Sequence, residues 1–209
     1  MFTGFPAEAL QFYEGLEADN SKAYWLAQAQ VYERAVRGPM RALVAELDPT
    51  GQLFRPHRDV RFSADKTPYK THQGARFADC YIQLSADGLA AGAGIWQMAP
   101  DQLARYRVAV ADEVSGRALE RAVAEAESAG YQVLSREELA TAPRGYPRDH
   151  PRVGLLRRKG LAAWAAWPPE PWLETAAARQ RLEDFFDVSR PIRDWLGRVG
   201  PSTQERPRR

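Results

Sequence analysis

Eighteen residues of this 209-residue chain, Arg55–His72, read RPHRDVRFSADKTPYKTH and carry five cations, two carboxylates and two of the three histidines. Guanidinium forks and ammonium groups hold oxyanions. An imidazole moves protons near neutral pH when a carboxylate orients it. If Phe54–Phe62 is extended, Arg55, His57, Asp59 and Arg61 share one face at about 7 Å spacing, and Phe54, Arg58, Val60 and Phe62 share the other. The polar face suits an anionic ligand, with Arg55, Arg61, Lys66 and Lys70 as its clamp. His72 or Tyr69 is the first candidate for proton handling, His57 the second, with Asp59 or Asp65 as orienting carboxylate. Arg58, set among apolar neighbours, requires a buried acid, and the reading pairs it with Asp65 as a structural ion pair.

Other chemistries fit this segment less well. His57-x-Asp59 puts two metal ligands on one side of a strand, and His72 or His150 could complete a shell. The fixed cations at Arg55 and Arg61 oppose a divalent ion, so no metal site and no cofactor are expected. The tripeptide His57-Arg58-Asp59 also opens a kinase catalytic loop, but that loop needs Asn five residues after its Asp, and position 64 is Ala. Gly92 and Gly94 lack the third glycine of a dinucleotide loop and the Gly-Lys-Ser/Thr of a P-loop. Inside a strand they mark a bulge or a close backbone approach.

A second basic segment, residues 144–159, holds six cations against one acid and contains the third histidine. With residues 55–76 at a local charge of +4 and 144–159 at +5, a chain of net charge +2 leaves −7 for the rest. Arg144 and His150 are therefore candidates for the same ligand site, with all three histidines in one cleft. The plainer account is that Pro143–Tyr146 is a turn, VGLLRRKG a short basic helix, and the charge a solvated face.

The elements that must position these groups follow from periodicity. Phe5, Leu10, Tyr13 and Leu16 form a first apolar helical face after Pro6. From Asn20 as N-cap, Trp25, Ala29, Tyr32, Val36, Met40, Leu43 and Leu47 form a second, which Gly38-Pro39 should interrupt. Between Leu53 and Met98 the period drops to two. FRPHRDVRF, ARFADCYIQLSA and GLAAGAGIWQM read as three strands, the last two closed as a hairpin at Ser85–Gly88. DQLARYRVAVADEV and SGRALERAVAEAESAG are helical, the second capped at Gly130. A strand at 161–167, a helix from Pro171 to Phe186 and a last helix begun by Ser189 and Pro191 complete the chain. The expected fold is α+β, an antiparallel or mixed sheet from the middle of the chain packed by N-terminal and C-terminal helices. It forms a single domain over 1–199 with 200–209 a disordered tail.

Composition bounds the function class. At 44% apolar and 27% charged the chain has the make-up of a globular domain large enough for a core. Neither a signal peptide nor an eighteen-residue apolar run is present, so no membrane partner and a cytoplasmic location are expected. The lone Cys80, in DCYIQL, reads as a strand core position, and Trp164, Trp167 and Trp172 as packing residues.

The run Arg55-x-x-Arg58-Asp59-x-Arg61-Phe62-x-x-x-Lys66-x-x-Tyr69 resembles the signature of the bacterial and fungal family called domain of unknown function 2461. Phe2–Pro6 (FTGFP), Asp19–Trp25 (DNSKAYW), Gly92–Trp96 (GAGIW), Pro143–Pro151 (PRGYPRDHP) and Leu155–Lys159 (LLRRK) agree with it, so the resemblance covers nearly all of 1–199. It implies a location for function and no reaction. Three readings follow: a protein that binds or acts on a phosphate-bearing, nucleotide-like small anion; a nucleic-acid-binding module using both basic segments; and a structural or interaction protein whose motif is an internal salt-bridge network. Whether it is an enzyme is left open by the residues alone.

Overall fold

The apolar stripe of the first forty-seven residues builds three helical segments: α1 (Glu8–Ala18), α2 (Lys22–Val31) and α3 (Gly38–Leu47). They belong to a computed structural model that describes residues 1–61 and 64–203. Ser21, one residue after the expected Asn20, caps α2 by accepting the Tyr24 N–H at 3.2 Å. Gly38-Pro39 does not stop the helix. A π-helical turn, Tyr32–Arg37, joins α2 to α3, and the Gly38 N–H bonds the Glu33 carbonyl five residues back. That wider turn accommodates the proline ring and its missing donor.

The chain folds into two compact units, 1–91 with 166–185, and 92–165 with the chain from Phe186 onward. Strands β1 (Gln52–Leu53), β2 (His72–Phe77), β3 (Cys80–Ser85), β4 (Gly88–Ile95), β5 (Gln132–Leu134) and β6 (Leu161–Trp167) run in the order β1-β2-β3-β4-β6-β5. The fold is α+β, its strands drawn from the middle of the chain, with helices at both ends and between β4 and β6.

In the first unit β1, β2 and β3 are antiparallel, with Gln52 opposite Arg76 and Ala75 opposite Ile82. The segment read as one strand, ARFADCYIQLSA, is a hairpin instead. It turns at Ala78-Asp79, and Ala78 takes φ 47°, a conformation for which the sequence holds no glycine signal. The expected turn at Ala86-Asp87 leads into β4 at Gly88. Cys80 is buried in β3. The core gathers Phe5, Phe12, Tyr13, Leu16, Met40, Leu43, Ile82 and Leu84, all 2% exposed or less. Phe12, absent from the stripe read in the sequence, is its aromatic centre, with rings of Tyr13, Trp25 and Tyr32 at 5.1–5.7 Å.

The expectation of a strand over 54–62 fails. Only Gln52–Leu53 pairs as strand, and His57 makes one isolated bridge to Tyr69. Phe62 and Ser63, the end of that expected strand, lie outside the described residues.

The second unit holds α4 (Pro100–Ala111) and α5 (Glu113–Ser128), separated at Asp112, whose side chain caps α5 by accepting the Ser115 N–H at 2.8 Å. Gly130, at φ 87°, follows α5 as expected. Val133 pairs with Ala163 across β5 and β6. Gly94 sits at φ 127°, and a Cβ there would lie 2.5 Å from the Leu161 carbonyl oxygen, the close backbone approach expected of this glycine.

α6 (Val153–Arg157) is the short basic helix. At the C-terminal end, a 3-10 turn (Pro171–Glu174) precedes one helix, α7 (Ala177–Leu196), where two were expected. Pro191 lies inside it. The proline removes one backbone donor, and nearby the Phe186 carbonyl accepts from Ser189 Oγ at 3.2 Å and Arg193 Nη2 at 2.9 Å. Of the tail, Ser202 Oγ and the Thr203 N–H both donate to Asp101 at 2.8 Å, and 204–209 lie outside the described residues.

A candidate anion-binding pocket

The segment between β1 and β2 is a loop folded back on itself. Arg58 N–H donates to the Pro68 carbonyl at 2.9 Å and Lys70 N–H to the Pro56 carbonyl at 2.8 Å, so the two arms lie antiparallel around the His57–Tyr69 bridge. Both prolines serve only as acceptors, which is why they are tolerated in a paired segment.

Three sets of contacts fix this loop. The Asn20 side-chain amide grips the backbone of Tyr69 from both sides, accepting its N–H at 3.1 Å and donating to its carbonyl at 3.1 Å. The Trp25 ring stacks on Tyr69 at 4.3 Å and 7°. Gln73, 1% exposed, donates to the carbonyls of Phe54 at 3.0 Å and Gly74 at 2.7 Å while its oxygen accepts from the Tyr32 hydroxyl. An amide that satisfied is rigid as well as buried.

The loop tip consumes several of the expected ligand groups. Arg61 binds Asp59 through two nitrogens at 2.9 and 2.6 Å. Lys66 Nζ donates to the Val60 carbonyl at 3.0 Å. Arg58 binds Asp65 and Thr67, and Asp65 in turn accepts the Thr67 N–H at 2.9 Å. Hydrogen bonds from Arg61 hold Asp59 at about 2, and those from Thr67 and Arg58 hold Asp65 at about 2, against an ordinary 3.8. Both pKa values are depressed, so the tip's contribution is complete above pH 3.8 and is lost as pH falls through 2.

Beside this tip lies a cavity of about 390 Å³ lined by Arg58, Asp59, Tyr69, Lys70, Thr71 and His72. Lys70 and His72, two residues apart, face it together. Lys70 Nζ lies 5.2 Å from the centre of the Phe54 ring and has no carboxylate partner among the described residues. Burial lowers its pKa from 10.5, and Arg55 lowers it further. Burial likewise lowers His72 from 6.5, helped by the Lys70 charge, so its imidazole is neutral at pH 7.

The sequence-predicted residues therefore separate. Arg58, Asp59, Tyr69, Lys70 and His72 line the cavity. Arg55 lies close enough to act on Lys70 and Asp59. Arg61 and Lys66 turn to the loop's own acceptors, and His57 packs its ring 5.1 Å from Tyr69. Arg144 and His150 belong to the second unit, where His150 Nδ1 accepts the Arg152 N–H at 3.0 Å, and the cavity lining contains neither. Thr71, Asn20, Trp25 and Gln73 were not singled out as site residues. Asn20 and Trp25 were legible as a cap and a stripe residue, and as part of the Asp19–Trp25 block that agrees with the family. Among the described residues no group of three or more His, Cys, Asp or Glu side chains is placed to hold a metal ion.

Arg58 is also less buried than its apolar flanks implied, its side chain 30% exposed against 54% for Asp65. Removing it leaves a carboxylate that water can rehydrate, so Arg58→Ala should cost about 1–2 kcal/mol in a urea melt, less than a fully buried pair. Arg61→Ala, at a solvent-exposed pair, should leave the midpoint unchanged.

An α+β fold with a loop-built, cation-lined cavity describes the class of protein. The chain belongs to the conserved hypothetical protein family DUF2461, whose model matches residues 8–195 and so includes the whole cavity. No curated protein and no solved structure matches the chain.

Proposed function

We propose that the cavity between Arg58 and His72 binds a small anion, in the class of phosphate-bearing metabolites. One observation carries the reading: Lys70 lines the cavity as a cation with no carboxylate among the described residues to neutralise it, while the neighbouring Arg58 and Arg61 are both neutralised. An anion there gains a point charge from Lys70, a guanidinium edge from Arg58, hydroxyl donation from Thr71 and, once protonated, a second donor from His72. Ion pairing at the loop tip favours the competing reading, an internal salt-bridge network, but leaves Lys70 without a role.

Titration with sulfate, against chloride at matched ionic strength, tests this. Sulfate should raise the melting temperature by mass action and chloride should not, and Lys70→Ala should weaken sulfate binding at least about tenfold. Equal shifts with both salts would leave the network reading in place. Affinity should also rise as pH falls from 7.5 to 5.5. His72 has its pKa lowered in the free protein and raised beside a bound anion, so binding takes up a proton. His72→Asn should flatten that profile.

A further inference from the structure

The geometry points to Lys70 as an imine-forming nucleophile for a small aldehyde or ketone that carries a phosphate or carboxylate group. This rests on the anion pocket and names what else its ligand must contain. Lys70 has the surroundings of a lysine set apart for chemistry. Its Nζ lies against the Phe54 ring and pairs with no carboxylate among the described residues, since Asp59, which also lines the cavity, is held by Arg61, and His72 shares the cavity two residues along. Burial and the Arg55 charge both favour its free amine, which is the form that attacks a carbonyl carbon. The chain has only four lysines. Lys66 is held by a backbone carbonyl and Lys159 by Glu137 at 2.8 Å, while Lys22 is exposed at the start of α2.

The step balances with His72 and one proton from solvent. The Lys70 amine adds to the carbonyl carbon, and the neutral His72 imidazole carries one proton from the nitrogen to the new alkoxide, which gives the carbinolamine. His72 then takes up a proton from solvent and gives it to the hydroxyl, which departs as water while the nitrogen lone pair closes the C=N bond of the protonated imine. Arg58 and Thr71 would hold the substrate's anionic group and so place its carbonyl at Lys70.

Borohydride reduction with peptide mapping reads this directly. The intact protein is incubated at pH 7 with glyoxylate, with glycolaldehyde phosphate, or with uncharged glycolaldehyde, then reduced. Lys70 should acquire the reduced adduct at least about tenfold faster than Lys22, Lys66 or Lys159 with one of the two anionic carbonyls, and which of them does so identifies carboxylate or phosphate as the anchoring group. Uncharged glycolaldehyde should show no such preference. Lys70→Arg should retain sulfate binding and lose the adduct, and His72→Asn should slow adduct formation while leaving its position unchanged. Sulfate binding without preferential labelling of Lys70 overturns the imine and leaves the anion pocket standing. Loss of both overturns both.

Discussion

Replacing Gly94 by alanine should come close to unfolding the protein. The residue sits at φ 127°, where an L side chain is strained by about 1–3 kcal/mol, and its new Cβ would stand 2.5 Å from the Leu161 oxygen and 3.0 Å from the Ala162 Cα. Both neighbours are backbone of β6, so nothing flexible can move aside, and overpacking adds about 1–3 kcal/mol more. Their sum, on the order of 4 kcal/mol, is a large part of the 5–15 kcal/mol that holds a typical domain together. Gly92→Ala is the control. Its Cβ would meet the Trp164 ring at 3.1 Å, and no positive φ is involved, so a small ring shift limits the cost to about 1 kcal/mol. Urea midpoints for the two variants should differ several-fold in their displacement from the parent. Equal displacement would mean that β4 and β6 do not approach as closely as described.

The second large effect is expected at Arg152, within the segment read as a ligand-binding run. Its side chain is 3% exposed. Nε donates to the Val110 carbonyl at 2.7 Å and Nη2 to the Ala111 carbonyl at 3.2 Å, so the guanidinium caps the C-terminal end of α4 where helix carbonyls have no partners of their own. Glu113 at 2.9 Å and Glu120 at 3.6 Å neutralise it from α5, and Gly116 leaves the room it occupies, since a Cβ there would lie 2.3 Å from Nε. Arg152→Met keeps the apolar stem and removes every donor. It should cost about 2–4 kcal/mol, the lower part of the range for a broken buried pair, because both glutamates are exposed and can rehydrate. Arg152→Lys should cost roughly half of that, a point charge being unable to satisfy two carbonyls and two acids together. Sulfate affinity should be the same in both variants, and a loss of affinity without loss of stability would give Arg152 a part in ligand binding instead.

These cases indicate where the sequence speaks and where it is silent. Elements built from apolar periodicity were legible: α1, the stripe through α3, β4, and β6 at 161–167. The loop after β1 was misread because charged residues alternating with Phe54, Val60 and Phe62 imitate a pleat, while what shapes Pro56–Lys70 is a set of long-range backbone bonds with no local signature. The β2–β3 turn was invisible because Ala78 supplies a positive φ usually left to glycine or asparagine. Pro191 was read as a boundary because a proline removes a backbone donor, a loss that the helix Ala177–Leu196 nonetheless runs through. At the candidate site, charge density picked out the segment that lines the cavity. It could not divide the cations, since whether an arginine faces a ligand or its own Asp59 depends on a loop tip closing within two residues.

The Asn20 amide that grips Tyr69 has a consequence for motion. Its two bonds reproduce what a neighbouring strand would give, yet they come from one side chain at the start of α2. One end of a helix and one wall of the cavity must therefore open together, as a single local unfolding event. Amide hydrogen exchange at Tyr69 should match that of the first turn of α2 in rate and in its response to denaturant, and a ligand that closes the cavity should slow both by the same factor.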